Sequence, residues 1–295
     1  MTKKRVSFSQ LAINATLIIV SIAFVLPLLI VISASLTNEQ TLAQNGYSIL
    51  PQNFTTAAYE YFIKVPERLL KAYAITGFVT LVGTILGLTI MSLLAYALSR
   101  PEFKWRRPLS FFVIFTMLFN GGMVATYIVV TQFLHLKDKL PVLILPYLVI
   151  PWFVFLLRAY FINLPNDLIE AARIDGASEW RTFFQIVVPL STPALATVGL
   201  FCILQYWNDW WLPLMYINNS NLFSLQYLLY SIMSNAEYLA SSASRSGGLV
   251  TVAQVPIQTV RMAMVVIATG PIVIAFLALQ RYFVRGLLVG GVKGE

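Results

Sequence analysis

The sequence predicts an all-α membrane protein with six bilayer-spanning helices, and three observations carry that prediction. Hydrophobic residues make up 58% of the 295-residue chain and charged residues only 11%, whereas soluble globular proteins carry about 25% charge. The apolar residues gather in runs of roughly 20, the length needed to cross ~30 Å of hydrocarbon at 1.5 Å per residue. The basic residues sit at the ends of these runs and form no continuous stripe of the kind that binds nucleic acid. The formal charge of +8 therefore reads as membrane orientation.

The first run, residues 11–35, follows Lys3, Lys4 and Arg5 and ends in Ser33, Ala34 and Ser35, small residues that resemble a signal-peptide cleavage site. A signal core is roughly 7–15 residues long. This run is longer and contains Pro27, so it reads as a retained anchor. The remaining runs cover residues 72–98, 109–134, 140–161, 191–217 and 262–284, giving a single transmembrane domain over 1–295. With the N-terminus inside, the inner segments hold 13 of the 20 basic residues, and the short loop carrying Arg100, Lys104, Arg106 and Arg107 resists translocation most strongly. Both termini are expected in the cytoplasm of a prokaryotic inner membrane. Two outer segments are long, 36–71 and 218–261. The second has linker composition at Ser241–Gly248, which suits either a mobile loop or a surface that meets an external partner.

Between the fourth and fifth runs lies the longest polar segment expected in the cytoplasm, residues 163–189, which reads as two short helices with a break. Pro165 or Asn166 can start the first, with Asp167 and Glu170 in its opening turn, where acidic groups suit the positive end of the helix dipole. Gly176 can stop it. Ser178 can cap a second helix ahead of Glu179, and Pro189 marks the start of the fifth span. Leu168, Ile169 and Ala172 share one side of the first helix, with Ala171 close by, and could lie in a groove on another protein. A connector resting on the membrane surface fits the same pattern.

The chain offers little for chemistry. Its single cysteine, Cys202, lies in an apolar run and reads as a buried small residue, and its single histidine, His135, lies in a short loop. One His and one Cys cannot build a zinc site, and no metal site is expected. A charge deep in a span is costly and marks function by default, which singles out Asp209. On a continuous helix Gln205, Asn208 and Asp209 share a face, with Trp207 and Trp211 as an adjacent stripe. Amides beside aromatic faces suit sugars, whose hydroxyls need partners and whose C–H faces pack on rings. An aromatic belt at the outer interface competes with that reading, because Asp209 lies about 27 Å into its span at 1.5 Å per residue. Asn120, Tyr127, Gln132 and Trp152 are further candidates for lining a route, while Gly83 and Gly87 suit close helix packing. An ion-coupled carrier would need ionisable relays or broken helices near the midplane, and the sequence offers almost none; nor has it a G-x-x-x-x-G-K-[ST] phosphate loop of its own.

In the polar segment Glu170-Ala171-Ala172, Gly176 and Ile186-Val-Val-Pro189 resemble the hallmark of the permease subunits of binding-protein-dependent ABC importers, with Val188 where that family usually has Leu. The resemblance runs from about Leu11 to Gly294. It is closest to the maltose-type, carbohydrate-uptake branch, and within it to the polysaccharide or complex-oligosaccharide permeases, through Phe119–Tyr127, Arg173–Ser178, Trp207–Trp211 and the tail from Gln280 to Gly294. Ala125 and the stretch 274–279 depart from that type. The resemblance implies a non-catalytic subunit that pairs with a second, related permease. Two cytoplasmic ATPases would bind ATP and Mg, and an extracytoplasmic solute-binding protein would deliver the sugar. It also implies that Glu170, Ala171, Ala172, Asp175, Gly176 and Pro189 belong to an ATPase-coupling segment, and that the tail from Arg285 to Glu295 reaches the ATPases. A non-sugar importer of the same family and an ion-coupled carrier are the alternatives.

Overall fold

The computed structural model describes residues 8–63, 66–245 and 257–290. Lys3 to Arg5, the end of the outer segment at 246–256 and the last five residues of the tail lie outside the described residues. The described chain is helical with no strand, apart from one bridge between Thr37 and Phe54. It divides into two units, Met1–Glu67 with Leu229–Gly270, and Arg68–Leu228 with Pro271–Glu295.

Among the described residues three helices are long and apolar enough to cross a membrane by themselves: α1 (Phe8–Ser35), α4 (Pro66–Ser99) and the first part of α14 (Ile257–Gly290). The other three apolar runs are broken, which corrects the expectation of almost no broken helices among the spans. The third is α5 (Arg106–Leu118) and α6 (Gly122–Ile128), which continues as a wide π turn to Phe133, with a bend of 114° between the halves. The fourth opens as 3₁₀ turns over Leu140–Tyr147 and bends by 47° into α7 (Pro151–Ile162). The count is six if each bent pair is one span. Each break has a local cause. Asn120 Oδ1 accepts the Gly122 N–H at 2.9 Å, and Gly122 sits at φ 81°, where a side chain would be strained. Ile150 precedes Pro151 and is held extended at φ −102°, ψ 109°.

The segments expected on the outer side are more ordered than their composition suggests. Residues 36–63 contain α2 (Glu39–Asn45) and α3 (Ala57–Ile63), with Ser35 and Tyr59 joined by a 2.7 Å hydroxyl contact. The expected loop at 218–261 is corrected by α13 (Leu225–Arg245), a 21-residue helix that includes part of the linker-like stretch. Leu225, Leu228, Leu229 and Ile232 recur at helical spacing there, and that period outweighs the Ser and Asn content. The last helix starts at Ile257, five residues before the expected span. Its first turn is capped by Glu39, whose carboxylate accepts from the N–H groups of Gln258 (3.0 Å) and Thr259 (2.8 Å) and from the Thr259 hydroxyl.

The second unit packs around the C-terminal half of α4. Met91, Ala95, Tyr96 and Leu98 meet Val154, Leu157 and Phe161 of α7, Phe183 and Val187, and Val198 and Cys202 of α11 (Thr192–Trp207). A second cluster joins Val79, Val130, Val142, Leu143 and Tyr206 to Leu212, Tyr216 and Ile217 around α12 (Trp211–Tyr216). Gly83 and Gly87 let α4 approach these partners. A Cβ at Gly83 would fall 2.5–2.8 Å from the Tyr206 ring, and one at Gly87 would fall 3.1 Å from the Leu148 carbonyl oxygen.

Gly83→Ala should therefore cost about 1–3 kcal/mol by overpacking, with Gly87→Ala costing less. Thermal unfolding of the purified complex followed by size-exclusion chromatography checks the order. Equal midpoints for wild type and Gly83→Ala would contradict the close approach.

Candidate functional site

The polar segment folds as two short helices. α8 (Asn166–Ile174) follows Pro165 and ends in a left-handed turn: the Gly176 N–H bonds the Arg173 carbonyl at 3.0 Å, the Ala177 N–H bonds the Ala172 carbonyl at 2.9 Å, and Gly176 lies at φ 76°. This pair of bonds satisfies carbonyls that the helix end would otherwise orphan, and glycine supplies the backbone angle without strain. α9 (Glu179–Thr182) is capped by Ser178, whose hydroxyl accepts the Arg181 N–H at 3.3 Å. It runs through a π turn at Phe183–Val187 into α10 (Val188–Leu190), which contains Pro189, and bends by 83° into α11.

The burial of α8 differs from the expected face. Ile169 is 3% exposed and Ala172 9%, so both pack on the chain itself, while Leu168 is 46% exposed and Ile174 87%. Leu168, Ala171 and Ile174 share the outward face at i, i+3, i+6 spacing, with Glu170 and Asp175 also exposed. The sequence reading assigned Ile169 and Ala172 to the outer side and overlooked Ile174. The 3.6 period alone gives relative faces and leaves open which face turns inward.

Arg173 ties this segment to the end of α4. Its Nη1 bonds Glu102 Oε1 at 3.0 Å, and its Nη2 and Nε bond Glu179 Oε1 at 3.0 and 3.2 Å. The second oxygen of Glu179 accepts the Tyr96 hydroxyl at 2.6 Å. Tyr96 packs on Phe183 at 5.2 Å, and the buried Arg100 guanidinium lies 4.8 Å over the Tyr96 ring while donating to the Phe161 carbonyl. These groups line a cavity of about 420 Å³. Its own backbone N–H, and then the Arg173 guanidinium, hold the Glu102 carboxyl below the ordinary carboxylate range. The Glu102 contact raises the pKa of Arg173, and burial lowers that of Arg100. None of these partners was singled out from the sequence, because Glu102 and Glu179 are 71 and 6 residues from Arg173 and only the fold brings them together.

The expected route residues have mixed placements. The fifth run, read as one helix to residue 217, breaks after Trp207. Asp209 then caps α12, its Oδ1 accepting the N–H groups of Trp211 (3.1 Å) and Leu212 (3.4 Å) and the Tyr147 hydroxyl (3.2 Å), at 9% exposure. Tyr147, which the sequence did not flag, is thus a partner of Asp209. The shared helical face of Gln205, Asn208 and Asp209 does not survive the break: Gln205 and Asn208 are exposed and Asp209 is buried. Trp207 packs against Tyr73 with ring centres 6.5 Å apart, and Trp211 sits edge-on to Trp210 at 5.8 Å. Tyr127 stacks on Tyr216 at 5.7 Å, Asn120 shapes the α5–α6 turn, and Trp152 is 61% exposed on α7. At another turn, Asp138 takes the N–H groups of Asn218 and Asn219 while its own N–H reaches the Tyr216 carbonyl. Those two backbone donors hold its carboxyl below the usual range.

A helical chain with several apolar spans, no chemistry-bearing cluster among the described residues and an exposed two-helix segment anchored by an ion-pair network has the architecture of a transporter's membrane subunit. Residues 83–289 match the family of binding-protein-dependent transport system inner membrane components, and the chain belongs to that family. It is 36% identical over 97% of its length to the polygalacturonan/rhamnogalacturonan transport system permease protein YtcP of Bacillus subtilis, covering 98% of that protein. It is 30% identical to the arabinooligosaccharides transport system permease protein AraQ of Halalkalibacterium halodurans, with 92% and 91% of the two chains covered. Among solved structures it resembles a chain of a bacterial ABC transporter involved in the import of the acidic polysaccharide alginate, with TM-score 0.79 and 27% identity over 95% of this chain and 100% of that one.

Two predictions follow from this geometry. Asp209→Asn keeps an acceptor at the cap and should assemble normally, whereas Asp209→Ala leaves two N–H groups and a tyrosine hydroxyl unpaired and should lower stability by about 1–3 kcal/mol; thermal unfolding of both variants separates the cap from a need for charge. The Arg173–Glu102 pair is expected to contribute roughly 0.2–1 kcal/mol in a double-mutant cycle. Because the Glu102 pKa is depressed, that contribution is present above the unfolded carboxyl value and is lost only as pH falls through the lower folded value. The cycle repeated at neutral and mildly acid pH should give the same coupling energy.

Proposed function

We propose that this chain is the permease subunit of an ATP-driven importer for an oligo- or polysaccharide, paired with a second permease, driven by two cytoplasmic ATPases that bind ATP and Mg, and supplied by an extracytoplasmic binding protein. Both termini face the cytoplasm, and α8 with its Gly176 turn is the coupling helix. The observation that carries this reading is the outward apolar face of Leu168, Ala171 and Ile174 on a helix held from behind by Arg173. An isoleucine 87% exposed on a nine-residue helix suits a groove on another protein. Pull on α8 then passes through Arg173 to Glu102 and Glu179, and through Glu179 to Tyr96 of α4. The relatives named for polygalacturonan/rhamnogalacturonan and arabinooligosaccharide transport support the substrate class, and exposed Gln205, Asn208 and Trp211 supply amides and an indole face for a sugar.

Ile174→Ser and Gly176→Val, each in the reconstituted importer, should leave the permease pair inserted and lower substrate-stimulated ATP turnover by at least about tenfold. Wild-type turnover in both variants would remove the docking role. Uptake measured across a saccharide panel names the substrate, and transport by the permease pair without ATPases would end the reading altogether.

A further inference from the structure

We propose that a basic cavity at the start of α5 binds the phosphodiester of an anionic glycerophospholipid. The cavity has a volume of about 790 Å³ and is lined by Lys104 from the turn before α5, by Arg106 and Arg107 from the first turn of α5 and by Arg158 from α7, with no carboxylate in its wall. Among the described residues none of these four cations pairs with an acidic group. Arg106 and Arg158 are half-buried, and Arg158 uses its Nε to bond the Leu98 carbonyl at 3.0 Å, which fixes the guanidinium in place. Like charges collected around one concave site repel, and they are stabilised when an anion joins them.

Two further observations point to the same ligand. Ser110 lines the cavity, and its hydroxyl is buried with no hydrogen-bond partner in the protein; a buried donor of this kind calls for an acceptor. The 13-residue α5 has no acidic residue in its first turn, so the positive end of its dipole adds to the charge of Arg106 and Arg107. The several oxygens of one phosphate group can accept from the guanidinium groups and the Ser110 hydroxyl together, and Arg is well matched to phosphate geometry.

The ligand is a lipid because the site continues into apolar surface. Phe111, 69% exposed, and Ile114, 41% exposed, line the same cavity, one and two helical turns beyond Arg107. The neighbouring Trp105 is 65% exposed, as suits an aromatic at a membrane–water interface. A phosphate with an acyl chain fills both parts, and inorganic phosphate fills only one. Basic pockets beside transmembrane helices recognise acidic headgroups in this way. The proposal does not depend on which solute is transported.

The test uses the assembled importer in nanodiscs of mixed phosphatidylglycerol and phosphatidylcholine, extracted gently and examined by native mass spectrometry for retained lipid. Wild type should retain phosphatidylglycerol about tenfold above its bulk ratio. Arg106→Gln with Arg107→Gln should abolish the enrichment, Ser110→Ala should weaken it, and a control with Lys137→Gln and Lys139→Gln in another loop should keep it. Equal enrichment in wild type and the Arg106/Arg107 double variant would overturn the site. Displacement of phosphatidylglycerol by millimolar inorganic phosphate, with phosphate retained in its place, would assign it to a soluble anion. Loss of the ATPases from the double variant with lipid retention unchanged would assign the cations to a protein contact.

Discussion

A peptide group inside hydrocarbon has no water to bond, so every break in a spanning helix must be satisfied by the chain itself. That constraint explains the placement of the polar and cyclic residues within the apolar runs. Asn120 takes the N–H exposed where α5 gives way to α6. Pro151 and Pro189 stand where a helix begins or bends, and proline brings no N–H to satisfy. Asp209 takes the two N–H groups at the start of α12. The bends of 114°, 47° and 83° follow from these local solutions, and they set where α7, α8 and α11 lie against α4.

The same economy governs the segment outside the apolar core. α8 has nine residues, too few to be stable alone, so its position depends on what grips it. Ile169 and Ala172 are held by apolar contact, the Gly176 turn closes its end, and Arg173 reaches two carboxylates on different elements. Single exposed ion pairs contribute little. Here Arg173 also shares Glu179 with the buried Tyr96, so the surface pair continues into the apolar packing of α4, and displacement of α8 strains both.

Much of this was legible in the sequence where composition and punctuation speak directly. The apolar runs, the two-helix segment with Ser178 as a cap and Gly176 as a stop, and the close packing at Gly83 and Gly87 all depend on local chemistry within a few residues, whereas the breaks at Gly122 and after Trp207 were not read from it. Facing was not legible. Ile169 turns inward and Ile174 outward because of what α8 packs on, which no periodicity reveals. Residues 225–245 form a helix although Ser and Asn suggested a loop, because their leucines recur at helical spacing. The links from Arg173 to Glu102, from Glu39 to Thr259 and from Asp138 to Asn218 join parts of the chain far apart in sequence.

Asp209 shows how a residue singled out by a local rule can have a structural reason of its own. A carboxylate in an apolar run is costly enough to need a reason, and substrate contact is the reason that comes first. The fold supplies another: a helix break close by leaves two backbone donors that an acceptor must meet, and Asp209 meets them together with Tyr147 while remaining 9% exposed. Those three donors compensate the carboxylate from within the protein, so its presence requires no solute. Surface available for contact lies instead with its exposed neighbours Gln205, Asn208 and Trp211, which present amides and an indole. Neutral groups of that kind suit polyhydroxylated ligands, because they can bond hydroxyls without imposing the cost of desolvating a charge.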